Sequence, residues 1–243
     1  MNPSEHNLFD LHLLSNFVHQ IINPLNGVIG TLDNIIDGTV PTERRDQRLK
    51  AVRAQLELSV LLVRNLAYFA KISTIPGALE ETDPSKTCVI PQLVIEAAQF
   101  FQEPGLSKGI KIHLEDRSSQ YAVRGSPELL RQVFMNLFDN AIKYSDENTD
   151  VRIRPWPQQK TGQLIVEVAS TGVGFRPEEA ESLFQVGYRG QEAQSRIASG
   201  TGLGLYICKR IIEEVHKGTI EAEHARKTRK TIFRLRFPEW RLT

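Results

Sequence analysis

Residues 198–205 read ASGTGLGL, with Gly200, Gly202 and Gly204 alternating just before an apolar helical run. Amides unhindered by side chains can approach phosphate oxygens there, and a helix start adds partial positive charge. A second glycine pair, Gly172 and Gly174 in STGVGF, follows an apolar run and suits either a tight turn or close backbone approach to a ligand. NLFDNAIKYS places Asn136 and Asn140 four apart, on one helix face, with Lys143 one turn beyond Asn140 and Tyr144 beside it. Amide oxygens so placed can complete a Mg²⁺ shell that phosphates mostly supply. A lysine can pair with phosphate, and a tyrosine ring can lie against a base. Far upstream, FVHQIINPLNG carries His19 in an apolar helical run, with Pro24 five residues on. Proline inside a helix costs about 3 kcal/mol, so its position beside a histidine asks for a reason.

A dinucleotide-binding reading of the glycine loop at 198–205 requires a strand before it. The preceding residues, VGYRGQEAQSRIAS, are instead polar and long for a connection, so the motif reads as a nucleotide phosphate site with a mobile lid.

The elements that must position these groups fall into two parts. Residues 7–73 hold few glycines and prolines, whereas β-branched runs and turn residues dominate from about 76. STIPGALEETDPSK between them reads as a linker. In the first part, Leu11, Leu14, Val18, Ile21, Leu25, Val28, Leu32 and Ile35 form a heptad seam, widened by Ile22, Ile29 and Ile36. Gly38 can cap this helix and Thr42 can open a second one after Pro41. The second helix carries Leu49, Val52, Leu56, Val63 and Leu66 on one face. A lone hairpin cannot bury both apolar faces, so two copies are expected to pair into a four-helix bundle.

The second part alternates strands and helices. SPELLRQVFMNLFDNAIKYS is an amphipathic helix with Ser126 as N-cap, and GLGLYICKRIIEEVHKG is another, closed by Gly218. TIEAEH and TIFRLRF are expected to end the chain as a hairpin. The fold expected is α+β: an antiparallel helical hairpin, then a mixed, mostly antiparallel sheet covered by helices on one face. Expected boundaries are 1–75 for the hairpin, 76–86 for the linker and 87–243 for the second domain.

Bulk properties narrow the function classes. A formal net charge of +1 over 243 residues argues against nucleic acid or anionic membrane as partner. No run reaches the roughly 20 apolar residues of a membrane helix, and the first residues lack a signal-peptide pattern. Cys88 and Cys208 make neither a disulfide framework nor a zinc site, and read as buried thiols in a reducing cytoplasm.

The glycine and asparagine motifs together, in this order, resemble the ATP-binding domain shared by sensor histidine kinases, gyrase, Hsp90 and MutL-type ATPases. NLFDNA resembles the N box, STGVGF the first glycine box, LFQVGYRG the segment before the lid and GTGLGL the second glycine box. HQIINPL resembles the H box of the histidine kinases. The resemblance implies a two-component histidine kinase core that binds ATP and Mg²⁺. His19 would be the phosphoacceptor, and the phosphoryl group would pass to an aspartate on a response regulator receiver domain. Asn140 would hold Mg²⁺ with Asn136 near it; Lys143 would touch phosphate and Tyr144 the adenine. Gly172 and Gly174 would shape the base pocket, and Gly200, Thr201, Gly202, Leu203 and Gly204 would wrap the phosphates. Arg189 would reach the γ-phosphate. Input would come from a separate sensory protein or a missing sensor domain.

The heptad puts His19 on the outer face, as phosphotransfer to a second domain demands. His12 occupies the same position one heptad earlier but lacks Pro-Leu, and reads as a solvated residue. His6, His113, His216 and His224 receive the same reading. Two positions depart from the family pattern. Gln20 stands where an acidic residue usually follows the phosphoacceptor, so no carboxylate base adjoins His19 and slower autophosphorylation is expected. Ser170 stands where an aspartate usually accepts a hydrogen bond from the adenine amino group, at some loss of affinity. Asn23, on the face of His19, matches a position that supports water attack on the phosphorylated partner, which would let the protein also dephosphorylate its regulator. The alternative is a non-catalytic dimeric scaffold with a degenerate nucleotide site that binds a receiver domain.

Overall fold

The computed structural model describes residues 11–74, 79, 86–197 and 200–242, with side chains from 14 onward. Most of the expected linker, and the side chain of His12, lie outside these residues. The chain divides near residue 76 into two compact units, with Gly200 and Thr201 grouped with the first and Gly202 onward with the second.

The first unit is a helical hairpin, α1 Leu11–Ile36 and α2 Thr42–Thr74. Gly38 adopts φ +73° and its N–H donates to the Ile35 carbonyl at 3.2 Å, the left-handed stop that a residue with a Cβ would resist. Pro24 sits within α1, which runs through it unbroken.

The expected seam holds at Leu14, Ile21, Leu25, Val28, Leu32 and Ile35, which are buried or half-buried, and departs at one position, where Phe17 is buried and Val18 is 44% exposed; Pro24 and Thr31 are half-buried beside it. At 3.6 residues per turn, spacings of 3-4 and 4-3 trace adjacent stripes, and α1 is apolar enough to fit both. The larger Phe17 takes the inner position. On α2 the buried positions are Val52, Ala54, Ser59, Leu61, Asn65, Phe69 and Ile72. Leu49, Leu56 and Val63, expected on that face, are 41–50% exposed. They form a separate stripe at seven-residue spacing, as do Ile22, Ile29 and Ile36 on α1.

The second unit is α+β. A five-stranded sheet runs in the order β2 (Lys111–Leu114), β4 (Asp150–Gln158), β5 (Gln163–Thr171), β7 (Lys230–Phe237), β6 (Thr219–Ala225), with only β2 and β4 parallel. A separate small sheet joins β1 (Thr87–Val89), β3 (Tyr121–Arg124) and β8 (Trp240–Leu242). The chain therefore does not stop at the β6–β7 hairpin; β8 returns to pair with β3. Pairing register places Val166, Leu235 and Ile220 on one face, all buried, and Glu167, Arg234 and Glu221 on the other, where Arg234 donates to Glu167 and Arg236 to Glu221. Helices α3 Ile90–Gln99 and α5 Pro127–Tyr144 supply the apolar surface of this unit. The helical turns α4 Gln102–Ser107, α6 Gln191–Arg196 and α7 Gly204–Arg210 complete it.

Helix α7 passes into a π-helical turn, Ile211–Val215. Gly218 does not supply the left-handed cap; Lys217 does, at φ +50°. Gly218 is needed for space, because a Cβ there would lie 2.2 Å from the Arg236 carbonyl oxygen. His216 is not a solvated residue. It is buried, its Nδ1 lies 2.8 Å from the Arg124 carbonyl, and burial pushes its pKa down to about 4. Cys88 and Cys208 are buried free thiols, and burial raises both to about 12.

Candidate functional site

Helix α5 is the spine of the site. Ser126 Oγ accepts from the Leu129 N–H, Pro127 opens the first turn, and Leu130, Val133, Phe134, Leu137 and Phe138 bury the apolar face. That burial fixes where the polar residues point. Asn136 is buried and its amide donates to the Gly204 carbonyl at 3.3 Å. Asn140, one turn on, is half-buried and makes no hydrogen bond through its side chain among the described residues. Lys143 Nζ donates to Asp139 at 2.5 Å, and Tyr144 is half-buried beside it. Lys108 caps the end of α5, donating to the Ile142 carbonyl at 2.8 Å. Burial lowers its pKa, and the Arg196 charge acts in the same direction.

The glycine loops explain themselves chiefly through protein packing. A Cβ on Gly172 would lie 2.2 Å from the Tyr144 carbonyl oxygen, and the Val173 N–H donates to that same oxygen at 2.9 Å. A Cβ on Gly174 would fall onto the His224 imidazole. Gly202 has φ +67°, and a Cβ there would lie 2.4 Å from the carbonyl carbon of Gly187, whose N–H donates to the Gly202 carbonyl. Gly204 packs on Asn136. Three of the expected ligand-facing glycines thus clear room for the chain itself. Leu203 is buried, while Gly200 and Thr201 are half-buried.

The segment between the loops has structure of its own. Glu179 is its hub, accepting the N–H of Arg176 at 2.8 Å, the N–H of Gln191 at 3.1 Å and the Tyr188 hydroxyl at 3.0 Å. Burial pushes the Glu179 carboxyl up, but these three donors outweigh it and leave it lowered. Arg189 donates to the Ile197 carbonyl, so it braces the segment. Arg196 at the end of α6 pairs with Asp146 at 3.2 Å, and Arg229 from the β6–β7 turn reaches the same oxygen at 3.1 Å. Glu179 and Asp146 were missed from sequence. Each acts through donors that sequence spacing does not reveal, up to 83 residues away for Asp146.

Ser170 is half-buried at the end of β5, with no side-chain hydrogen bond among the described residues. In the hairpin, His19 and Asn23 are exposed on one face of α1, and Gln20 is half-buried. The donor set of the second unit fits a magnesium nucleotide: an uncommitted half-buried amide at Asn140, a lysine and a tyrosine beside it, and glycine loops on either side.

Residues 125–241 match the family model "Histidine kinase-, DNA gyrase B-, and HSP90-like ATPase". Among curated proteins, the chain is 29% identical over 204 residues to the sensor histidine kinase AruS of Pseudomonas aeruginosa, covering 82% of this chain and 20% of that protein. It is 27% identical to the sensor protein SrrB of Staphylococcus aureus, covering 90% of this chain and 37% of that protein. This chain spans less than half the length of these relatives. Among solved structures, the catalytic domain of histidine kinase ThkA is 26% identical, with TM-score 0.52, over 63% of this chain and 96% of that one. The Acinetobacter baumannii histidine kinase AdeS, at 24% identity, TM-score 0.56, and coverage of 90% of this chain and 96% of its own, shares the fold. So does histidine kinase ThkA in complex with the response regulator protein TrrA, at 20% identity and TM-score 0.57, over 93% of this chain and 61% of that one.

Proposed function

From the premise that this chain is a histidine kinase core built on a histidine kinase-, DNA gyrase B- and HSP90-like ATPase domain, we propose that it autophosphorylates His19 from ATP and passes the phosphoryl group to an aspartate of a response regulator. A nitrogen of His19 would attack the γ-phosphorus. The bond to ADP would break and the ring would give up its proton. Such transfer depends on positioning and charge neutralisation more than on covalent help.

In the second unit, Asn140 would ligate Mg²⁺, which when bound neutralises phosphate charge, and Asn136 holds the Gly204 turn against α5. Lys143 would exchange its Asp139 partner for phosphate. Tyr144, Ser170 and the Gly172–Gly174 backbone would line the base, and residues 200–204 the phosphates. Arg189, which donates to the Ile197 carbonyl, would reach the γ-phosphate from the base of the loop. The domains would be 1–75, 76–86 and 87–243, acting in the cytoplasm. The open stripes Ile22–Ile29–Ile36 and Leu49–Leu56–Val63 favour a homodimer closed as a four-helix bundle. Asn23, exposed on the face of His19, favours phosphatase activity as well.

The observation that carries this reading is the uncommitted Asn140 amide between two loops bound to one helix, with an exposed His19 in the companion hairpin. The test is incubation with γ-labelled ATP of wild type and His19→Ala. Acid-labile, base-stable label lost in the variant is expected. Label retained in the variant would overturn His19 as acceptor.

A further inference from the structure

The last carbonyls of a helix must find partners beyond it, and at the end of α5 each one does. The Ala141 carbonyl accepts the Ser145 N–H at 2.9 Å, and the Tyr144 carbonyl accepts the Val173 N–H at 2.9 Å. The two between them, Ile142 and Lys143, share one donor, the Lys108 ammonium, at 2.8 and 3.3 Å. Lys108 comes from the turn between α4 and β2, and that turn is locked to the loop after α5. The Asn148 N–H donates to the Lys108 carbonyl at 2.9 Å, and Gly109, at φ +66°, leaves the Asn148 side chain the space that a Cβ would take. The backbone thus holds the ammonium at the helix end.

That end is negative twice over. The helix dipole places roughly half a negative elementary charge there, and Asp139, Asp146 and Glu147 lie around it. Yet Lys143 and Tyr144 in the last turn, with Asn140 just before, are the groups read as meeting a nucleotide. A polyanion approaching them is repelled unless positive charge stands nearby. Two cations there are already matched: Lys143 pairs with Asp139 at 2.5 Å and Arg196 with Asp146 at 3.2 Å. Lys108 is different. It is half-buried, its partners are neutral carbonyls, and among the described residues no carboxylate lies within ion-pair distance of it. Its charge is left unmatched.

We propose that Lys108 is a positioning residue for the polyphosphate: its ammonium cancels the negative end of α5, so that Asn140 and Lys143 can face an anion. The proposal rests on the nucleotide-binding reading above. Charge and capping are separable. A charge acts on phosphates at a distance and hardly on an uncharged nucleoside, whereas a loosened helix end weakens the hold on both.

The test is titration of the chain with magnesium imido-ATP and, separately, with adenosine, followed by amide NMR. Lys108→Gln keeps a donor without the charge, Lys108→Arg keeps both, and Lys108→Met keeps neither. The Gln and Met variants should bind the triphosphate analogue about tenfold more weakly, and adenosine within about threefold of wild type. The Arg variant should match wild type for both ligands. The Gln and Arg variants decide the question by themselves if the Met variant does not fold. Ile220→Val, a truncation in the core on β6, is the control: it lowers the unfolding temperature and should leave both affinities unchanged. Equal losses for both ligands in the Gln variant, or no loss, overturn this inference while leaving the nucleotide site intact. So does a selective loss of the triphosphate analogue in Ile220→Val. Wild type that binds neither ligand overturns the nucleotide site, and this inference with it.

Discussion

The Nδ1 atom of His224 lies 2.0 Å from where a Cβ on Gly174 would be. The first glycine box is therefore glycine partly because a histidine from β6 presses on it. Gly174→Ala should destabilise the ATPase unit, by about 1–3 kcal/mol as overpacking does. The double variant Gly174→Ala, His224→Ala should recover part of that loss. Thermal unfolding of the four members of the cycle checks it; additive losses would mean that the two residues are not coupled.

His216 makes the second unit acid-sensitive. Its folded pKa is depressed to about 4, against 6.5 for an ordinary histidine, because burial disfavours the charged ring. The unfolded chain thus binds more protons between these values. Stability is fully present above pH 6.5 and falls by about 3 kcal/mol as pH drops through that window to about 4. His216→Gln should flatten the slope. Denaturant unfolding at a series of pH values measures it.

Asp146 joins α6 to the end of α5 and to the β6–β7 turn through Arg196 and Arg229. These pairs are partly exposed, so Asp146→Ala should cost less than about 1 kcal/mol overall. Its local effect should be larger: residues 191–197 lose their anchor. Limited trypsin digestion should cut at Arg196 severalfold faster in the variant, with the global unfolding midpoint nearly unchanged.

Gln20 adjoins an exposed His19 and cannot serve as a base. Gln20→Glu should raise the initial autophosphorylation rate by about tenfold or more. Pro24 removes the amide that would bond the Gln20 carbonyl, softening the turn that carries His19. Pro24→Ala should stiffen it and shift the ratio of kinase to phosphatase activity. Rates with γ-labelled ATP, and dephosphorylation of a labelled regulator, read both.

Ile29 and Leu56, 56% and 41% exposed, occupy the open heptad stripes. Replacing both with Glu should turn a dimer into a monomer in sedimentation velocity without unfolding the hairpin.

Elements with strong periodicity were legible in the sequence: α1, α2, α5 and the hairpin strands β6 and β7 lie where apolar spacing put them, whereas the short β8 was missed. The exposed position of His19 was legible too, and so was the heptad register except at Val18. Both candidate seams of α1 are apolar, and only packing selects Phe17 over Val18. What spacing cannot show is which distant backbone occupies the space that a glycine vacates. Gly174 was read as a turn or as backbone approaching a ligand, and nothing in its spacing showed that a Cβ there would fall onto His224. His224 was read as a solvated residue, because its contacts with Thr231 and Gly174 come from strand register and not from spacing. Gly218 was read as a cap from its type alone, whereas the left-handed residue is the preceding Lys217.

Cys88 lies on β1 and Cys208 on α7, both shielded from solvent and held as thiols by burial. Neither belongs to the hairpin. A thiol reagent added to the native protein is thus a clock for opening of the ATPase unit alone: labelling proceeds only when β1 or α7 comes away. A nucleotide that clasps Asn136 and the Gly204 turn around itself should slow that clock at Cys208, one turn further along α7.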